Sequence, residues 1–266
     1  MTTYLGVCGW PVAHSRSPQM HNGALAAVGL GEWRYLRLPL PPELFEETVR
    51  ALPAAGFRGV NVTIPHKHAA LALADDVTVA AQAIGAANTL TFEDGRIHAD
   101  NTDAPGLLTA IGEPVAGRTA LVLGAGGAGR AAAWVLRTAG AQVSVWNRTP
   151  ERATELAQAL GVRGVETPEP AEILVNCTSV GLYDGDDPFK TLPIEADEMS
   201  AGSLVVDLVY RAGGTQLIEV ARMRGARVVD GLAVLVAQGA ASFERWTGKE
   251  APREAMRAAV TTIAIT

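Results

Sequence analysis

Thr119-Ala120-Leu121-Val122-Leu123-Gly124-Ala125-Gly126-Gly127-Ala128-Gly129 decides the fold. The run Thr119–Leu123 is apolar and β-prone, and it stops at a glycine. Residues 124–129 then fit G-x-G-x-x-G. The glycine pattern alone is weak. Behind a buried strand and ahead of the helix-forming stretch Ala128–Thr138, it reads as the strand–turn–helix of a dinucleotide site. Gly124 allows the tight turn, Gly126 lets backbone approach a pyrophosphate, and Gly129 lets helix and strand pack closely. The helix start offers unpaired N–H groups and the positive end of its dipole to phosphate. Gly124, Ala125, Gly126, Gly127 and Ala128 are therefore the candidate phosphate loop.

Downstream, Gln142–Trp146 reads as the next strand and Pro150–Leu160 as the next helix, with Thr149 at the N-cap and Pro150 at the first helical position. An NAD site usually places an acid about 20 residues after the glycines, to hold the ribose 2′-OH. That place here is Asn147-Arg148-Thr149, which holds no acid. Arg148 is suited to pair with a 2′-phosphate and to stack on adenine, and Arg152 lies one helical turn on. The reading favours NADP; the plain alternative is a solvated arginine beside a capping threonine. Ile173–Cys177 and Leu204–Asp207 are further strands, and Leu232–Trp246 and Arg253–Ile263 further helices.

Upstream, strand-like runs (Tyr4–Cys8, Tyr35–Leu38, Gly59–Val62, Asn88–Phe92) alternate with helical ones (Gln19–Val28, Glu43–Leu52, His68–Ala74). The expected architecture is α/β in two domains. Residues 1–102 form an N-terminal substrate domain, and residues 103–231 a Rossmann-type, doubly wound NADP-binding domain. The C-terminal helices, 232–266, return to the first.

The chain has 266 residues, 48% hydrophobic and 19% charged, which excludes whole-chain disorder. Lys plus Arg is 22 against 28 Asp plus Glu, a net charge of −6. That balance speaks against nucleic acid or an anionic membrane surface as partner. The opening MTTYLGVCGWP lacks a basic, apolar leader, and no apolar run is long enough to cross a bilayer. Cys8 and Cys177 sit in separate apolar runs, so the expectation is two reduced, buried thiols in a cytoplasmic protein.

Three further stretches carry chemistry. In Gly59-Val60-Asn61-Val62-Thr63-Ile64-Pro65-His66-Lys67, Asn61 and Thr63 share one strand face. Pro65 suits a first helical position, which puts Lys67 in a first turn, where the dipole disfavours its cationic form. Lys67 is one of only three lysines among 22 basic residues. Lysine, unlike arginine, can give up and regain a proton. An acid/base lysine and a solvated one both remain open at this point. In His14-Ser15-Arg16-Ser17-Pro18, Ser17 and Pro18 suit helix initiation, and Ser15 and Ser17 also suit a carboxylate. From spacing alone the capping reading is the stronger. In Asp100-Asn101-Thr102-Asp103, Thr102 or Asp103 suits a helix cap, and a carboxylate there is placed to orient Lys67. His66 and His68 diverge by ~200° on a helix, so no metal site is expected.

The motifs GWPVAHSRSPQMHN, FRGVNVTIPHK, GAANT, DNTD, GAGGAGRA, NRTPERA, NCTSVGL and DGLAVLVAQGAASFERWTG occur in the order seen in shikimate dehydrogenases. The chain resembles that family over nearly its whole length. The resemblance implies NADPH-dependent reduction of 3-dehydroshikimate to shikimate, a step of aromatic amino-acid biosynthesis. It implies Lys67 as catalytic acid/base with Asp103 as partner, and Ser15 and Ser17 on the substrate carboxylate. Thr63, Asn88, Asp103 and Gln238 would then bind its hydroxyls, with Asn61 and Tyr210 close by, and Leu208 and Gly231 near the nicotinamide. Monomers and homodimers both occur in the family. The chain departs from it at Ala104, at Arg211-Ala212-Gly213-Gly214 and at Val234. Two alternatives stand beside this reading: a quinate/shikimate enzyme with relaxed NAD(P) use, and a non-catalytic NADP-binding sensor on the same fold.

Overall fold

In the computed structural model the alternating strands and helices form two six-stranded sheets. Residues 2–211 and 213–261 are described. The chain divides into two compact units: one runs through Gly106 and resumes at Val236, and the other holds Leu107–Leu235.

The first unit's sheet contains β1 (Thr3–Gly9), β2 (Trp33–Pro39), β3 (Phe57–Val62), β4 (Asp76–Val77), β5 (Thr89–Glu93) and β6 (Arg96–Asp100), in the order β2-β1-β3-β5-β6-β4. β1 runs parallel to β2 and β3, whereas β5 is antiparallel to both β3 and β6. Asp94 and Gly95, both at positive φ, close β5 and β6 into a hairpin. The hairpin sets the site: it returns the chain so that Asn88 donates its N–H to the Asp100 carbonyl at 3.0 Å, beside the start of the next helix. The helices are α1 (Ser17–Ala27), α2 (Phe45–Ala51), α3 (Lys67–Ala72) and α4 (Val79–Ile84), and α5 (Asp103–Ile111) begins in this unit and ends in the other. Cys8, Phe45, Val49, Val60, Val62 and Leu90 form the core on one sheet face.

The second unit's sheet is all parallel: β7 (Thr119–Leu123), β8 (Gln142–Trp146), β9 (Arg163–Gly164), β10 (Ile173–Asn176), β11 (Leu204–Asp207) and β12 (Arg227–Val229), in the order β12-β11-β10-β7-β8-β9. Counted within the unit this is 3-2-1-4-5-6 read from β9, the doubly wound order, whose direction reverses between β7 and β10. β10 and β11 are buried along their whole length, as central parallel strands covered on both faces must be. Its helices are α6 (Gly127–Thr138), α7 (Pro150–Leu160), α8 (Pro188–Thr191) and α9 (Gln216–Met223).

The chain closes with α10 (Gly231–Thr247) and α11 (Arg253–Thr261). The expected end of the last helix at Ile263 lies outside the described residues, as does Ala212. Within the first unit α10 lies close on the sheet: a Cβ at Gly59 would fall 2.2 Å from the Trp246 indole nitrogen. α11 packs on α1, and Arg16 donates to the Val260 carbonyl at 2.7 Å. Among the described residues no helix is long and apolar enough to cross a membrane.

Candidate active site

Three segments of the first unit converge on one ion pair. β3 ends at Val62, and a turn with His66 N–H on the Thr63 carbonyl at 2.9 Å leads into α3. Lys67 is the first residue of α3 and Asp103 the first of α5. Lys67 Nζ donates to Asp103 Oδ2 at 2.5 Å. Their side chains keep 12% and 21% of their surface exposed, enough to meet a ligand while water is largely kept off. Asn88 Nδ2 donates to the other oxygen, Asp103 Oδ1, at 2.8 Å. The carboxylate is thus fixed from both sides, and it holds the Lys67 ammonium against the unfavourable helix dipole.

Two helix-start expectations are corrected. Pro65 is not the first helical residue; it sits in the turn, and His66 stands at the N-cap. Neither Thr102 nor Asp103 caps α5: the Asn101 side chain does, accepting the Ala104 N–H at 3.2 Å, while its amide bonds the Ala86 carbonyl. Asp103 is thereby released for Lys67. The flanking histidines are engaged elsewhere. His66 stacks on Phe45 and bonds the Leu40 carbonyl, and His68 bonds that of Gly85. No metal-holding group of His, Cys, Asp and Glu exists among the described residues.

The capping reading of Ser17 also fails. Arg16 is the N-cap of α1, Ser17 is already helical, and no side chain caps that end. The Ser15 hydroxyl accepts the Ser17 N–H at 3.3 Å and keeps its own proton to give. The Arg37 guanidinium grips the Ser15 carbonyl at 2.8 and 3.1 Å. Two hydroxyls on a braced turn at a helix start suit an anionic oxygen better than a helix cap.

Behind the ion pair lies a buried polar network that the sequence reading did not assemble. Asn61 donates to Ser242 Oγ (2.9 Å), Thr89 Oγ1 (3.1 Å) and the Asn88 carbonyl (3.2 Å), and accepts from the Tyr35 hydroxyl (2.8 Å). Both ends of the Asn61 amide are therefore hydrogen-bonded inside the protein. Asn88 also reaches Thr102 Oγ1 at 3.0 Å and Gln238 Oε1 at 3.3 Å. Asn61, Asn88 and Gln238 are at most 9% exposed. Thr63 is half-buried at the end of β3.

In the second unit, Gly124 at φ +103 follows β7, and Gly126 is the N-cap of α6 with no side chain capping it. A Cβ on Gly129 would lie 1.8 Å from the Gly124 carbonyl oxygen, whereas one on Gly126 would meet nothing within 4 Å. The outer glycines close the loop on itself and the middle one leaves open space above the helix start. Gly127 and Ala128 begin α6. Ala125 N–H is held by Asn147 Oδ1 at 3.1 Å, and Asn147 Nδ2 bonds the Thr149 carbonyl. Ala125 and Asn147, both expected at the cofactor, are thus bonded to each other and brace the loop. Thr149 stands at the N-cap of α7, yet its hydroxyl caps nothing. Arg148, Thr149 and Arg152 are exposed. The loop, the uncapped helix start and the two exposed guanidiniums fit a dinucleotide carrying an extra phosphate.

On the other side of the β7/β10 reversal, a Cβ on Gly231 would lie 2.6 Å from the Val209 carbonyl oxygen and 2.7 Å from that of Leu208. Glycine alone brings Gly231 and Leu208 together. Tyr210 follows two residues beyond Leu208. Asp207, just before this stretch, is fully buried, and burial pushes its carboxyl up to about 6 despite hydrogen bonds from Thr215, Val209 and Asn176.

An open doubly wound sheet with a glycine phosphate loop, carried on a chain with a shielded lysine–carboxylate pair, defines a dinucleotide-dependent oxidoreductase. Comparison with known proteins narrows the class. Residues 7–90 match the shikimate dehydrogenase substrate binding domain, residues 107–177 the shikimate/quinate 5-dehydrogenase family, and residues 231–261 the shikimate 5′-dehydrogenase C-terminal domain. A shikimate dehydrogenase (NADP(+)) of Thermus thermophilus is 49% identical over 247 residues, covering 91% of each chain. The crystal structure of shikimate dehydrogenase from Aquifex aeolicus superposes with a TM-score of 0.91 at 37% identity, covering 98% of each chain. That of Thermus thermophilus shikimate 5-dehydrogenase in complex with NADP(H) and shikimate gives 0.88 at 44% identity, covering 97% of this chain and 98% of that one. The chain belongs to the shikimate dehydrogenase family.

Proposed function

We propose that this protein reduces 3-dehydroshikimate reversibly to shikimate with NADPH. One observation carries the reading: the shielded contact between Lys67 Nζ and Asp103 Oδ2, locked by Asn88, on a chain that also carries the glycine loop. When bound, NADPH supplies the hydride that the carbonyl carbon receives. The protein's task is the other half of the addition. As charge builds on the carbonyl oxygen, the Lys67 ammonium donates a proton to it, and in the reverse direction the amine takes that proton back. Asp103 holds the Lys67 side chain in place through the Nζ–Oδ2 hydrogen bond.

Ser15 and Ser17 hold the substrate carboxylate by hydroxyl donation. Thr63, Asn88, Asp103 and Gln238 bind its hydroxyls, with Asn61 and Tyr210 close by. Gly124–Gly129 take the pyrophosphate, Arg148, Thr149 and Arg152 the 2′-phosphate, and Leu208 and Gly231 the nicotinamide side. A cytoplasmic location belongs to the same proposal, supported by buried Cys8 and half-buried Cys177, which form no disulfide.

The test is NADPH absorbance on adding 3-dehydroshikimate, with NADH and quinate as parallel arms. Turnover with NADPH and the shikimate pair is the expected result. Binding of NADPH without turnover would leave a nucleotide sensor instead, and equal rates with quinate and NAD would give the relaxed enzyme.

A further inference from the structure

Ser242, in the Ala- and Gly-rich middle of α10, is completely buried. Its Oγ lies 2.9 Å from Asn61 Nδ2, 3.1 Å from both Thr89 Oγ1 and Thr102 Oγ1, and 3.2 Å from the Gln238 carbonyl oxygen. A hydroxyl has one proton and two lone pairs, so these four contacts must be sorted. Asn61 Nδ2 can only donate and the Gln238 carbonyl can only accept. Ser242 therefore gives its proton to Gln238 and keeps one lone pair for a threonine.

The choice of threonine follows from Asn88. Its Oδ1 already accepts the Thr102 N–H at 2.7 Å and has room for one hydroxyl; Thr89 Oγ1 lies at 3.1 Å and Thr102 Oγ1 at 3.2 Å, and the nearer, Thr89, is assigned. Thr89 in turn accepts the second Asn61 proton. The Thr102 hydroxyl proton then goes to Ser242, which leaves Thr102 Oγ1 free to accept from Asn88 Nδ2 at 3.0 Å. The remaining Asn88 proton goes to Asp103 Oδ1. This order of protons satisfies every one of these groups, and it runs from Asp103 through Asn88 and Thr102 to Ser242.

We propose that Ser242 is a positioning residue for the reaction: it takes the Thr102 proton so that Asn88 can clamp Asp103 against Lys67. Without it, the acceptors within reach of the Thr102 hydroxyl are Thr89 Oγ1 at 3.1 Å and Asn88 Oδ1 at 3.2 Å, both already engaged in holding the Asn88 amide, and the clamp loosens. The inference rests on the acid/base reading of Lys67 and Asp103.

The test uses full-length enzyme with NADPH and 3-dehydroshikimate. Ser242→Ala should lower kcat about tenfold, the scale of one buried hydrogen bond, with KM for the ketone nearly unchanged. Thr102→Val should give the same loss, the double variant no further loss, and Thr102→Ser should retain activity. Should Ser242→Ala not fold, as judged by lost NADPH binding, the Thr102→Val and Thr102→Ser pair decides: loss in the first and retention in the second support the inference, and equal activity overturns it. Wild-type kcat in Ser242→Ala, or losses that multiply in the double variant, overturn it alone provided Lys67→Ala is inactive. An active Lys67→Ala overturns the acid/base reading and this inference with it.

Discussion

Asp207→Asn should stabilise the protein at pH 8 and lose that advantage in acid. Asp207 is fully buried at the end of β11, where its carboxylate accepts from Asn176 Nδ2 (2.9 Å), Val209 N–H (3.0 Å) and Thr215 Oγ1 (2.6 Å). Those donors favour the charged form, but burial outweighs them and raises the group from its ordinary 3.8 to about 6. Because the folded value lies above the unfolded one, the group's contribution is fully present below about 3.8 and is lost as pH rises through about 6. A rise of that size corresponds to about 3 kcal/mol at pH 8. Asparagine can keep Oδ1 for Asn176 and Val209 and turn its amide to the Thr215 oxygen, without the buried charge. The gain at pH 8 should approach that figure, less about 1 kcal/mol if the Thr215 bond is not remade. Urea unfolding of both proteins at pH 4, 6 and 8 measures the difference and cancels other titrations. A difference that is the same at all three values would refute the reasoning.

Other substitutions probe the binding groups. Arg148→Ala should weaken NADPH far more than NADH, measured as KM for each nucleotide; equal losses would show that the guanidinium does not meet the 2′-phosphate. Ser17→Ala should raise KM for the ketone by the equivalent of about 1.5–3 kcal/mol, the range for a hydrogen bond to a charged group, with a smaller change in kcat. An unaltered KM would remove Ser17 from the carboxylate site.

The sequence was most readable where local pattern and burial coincide. Thr119–Leu123 and the glycines after it announce a doubly wound sheet, because apolar continuity and missing side chains are local properties. The β5–β6 hairpin was missed: its turn dipeptide Asp94-Gly95 was there to be read, but the mixed polarity of Arg96–Asp100 hides the second strand. β4 and β12 are only two and three residues long, too short for any period. Helix starts misled for a different reason. Ser17 and Thr149 occupy capping positions or stand next to them, yet their hydroxyls cap nothing, so residue type could not distinguish a cap from a group left for a ligand. The network behind Asp103 was unreadable in principle. Asn61, Thr89, Thr102 and Ser242 are brought together by sheet register and by α10, and in one dimension Ser242 is a small residue in an alanine-rich helix.

The proposed chemistry turns on Lys67 carrying the proton. The steady-state kcat of Lys67→Ala with 3-dehydroshikimate and NADPH tests it most directly. That kcat should fall roughly 10²–10⁴-fold, with KM for both ligands little changed. A kcat equal to that of the unaltered enzyme would contradict it.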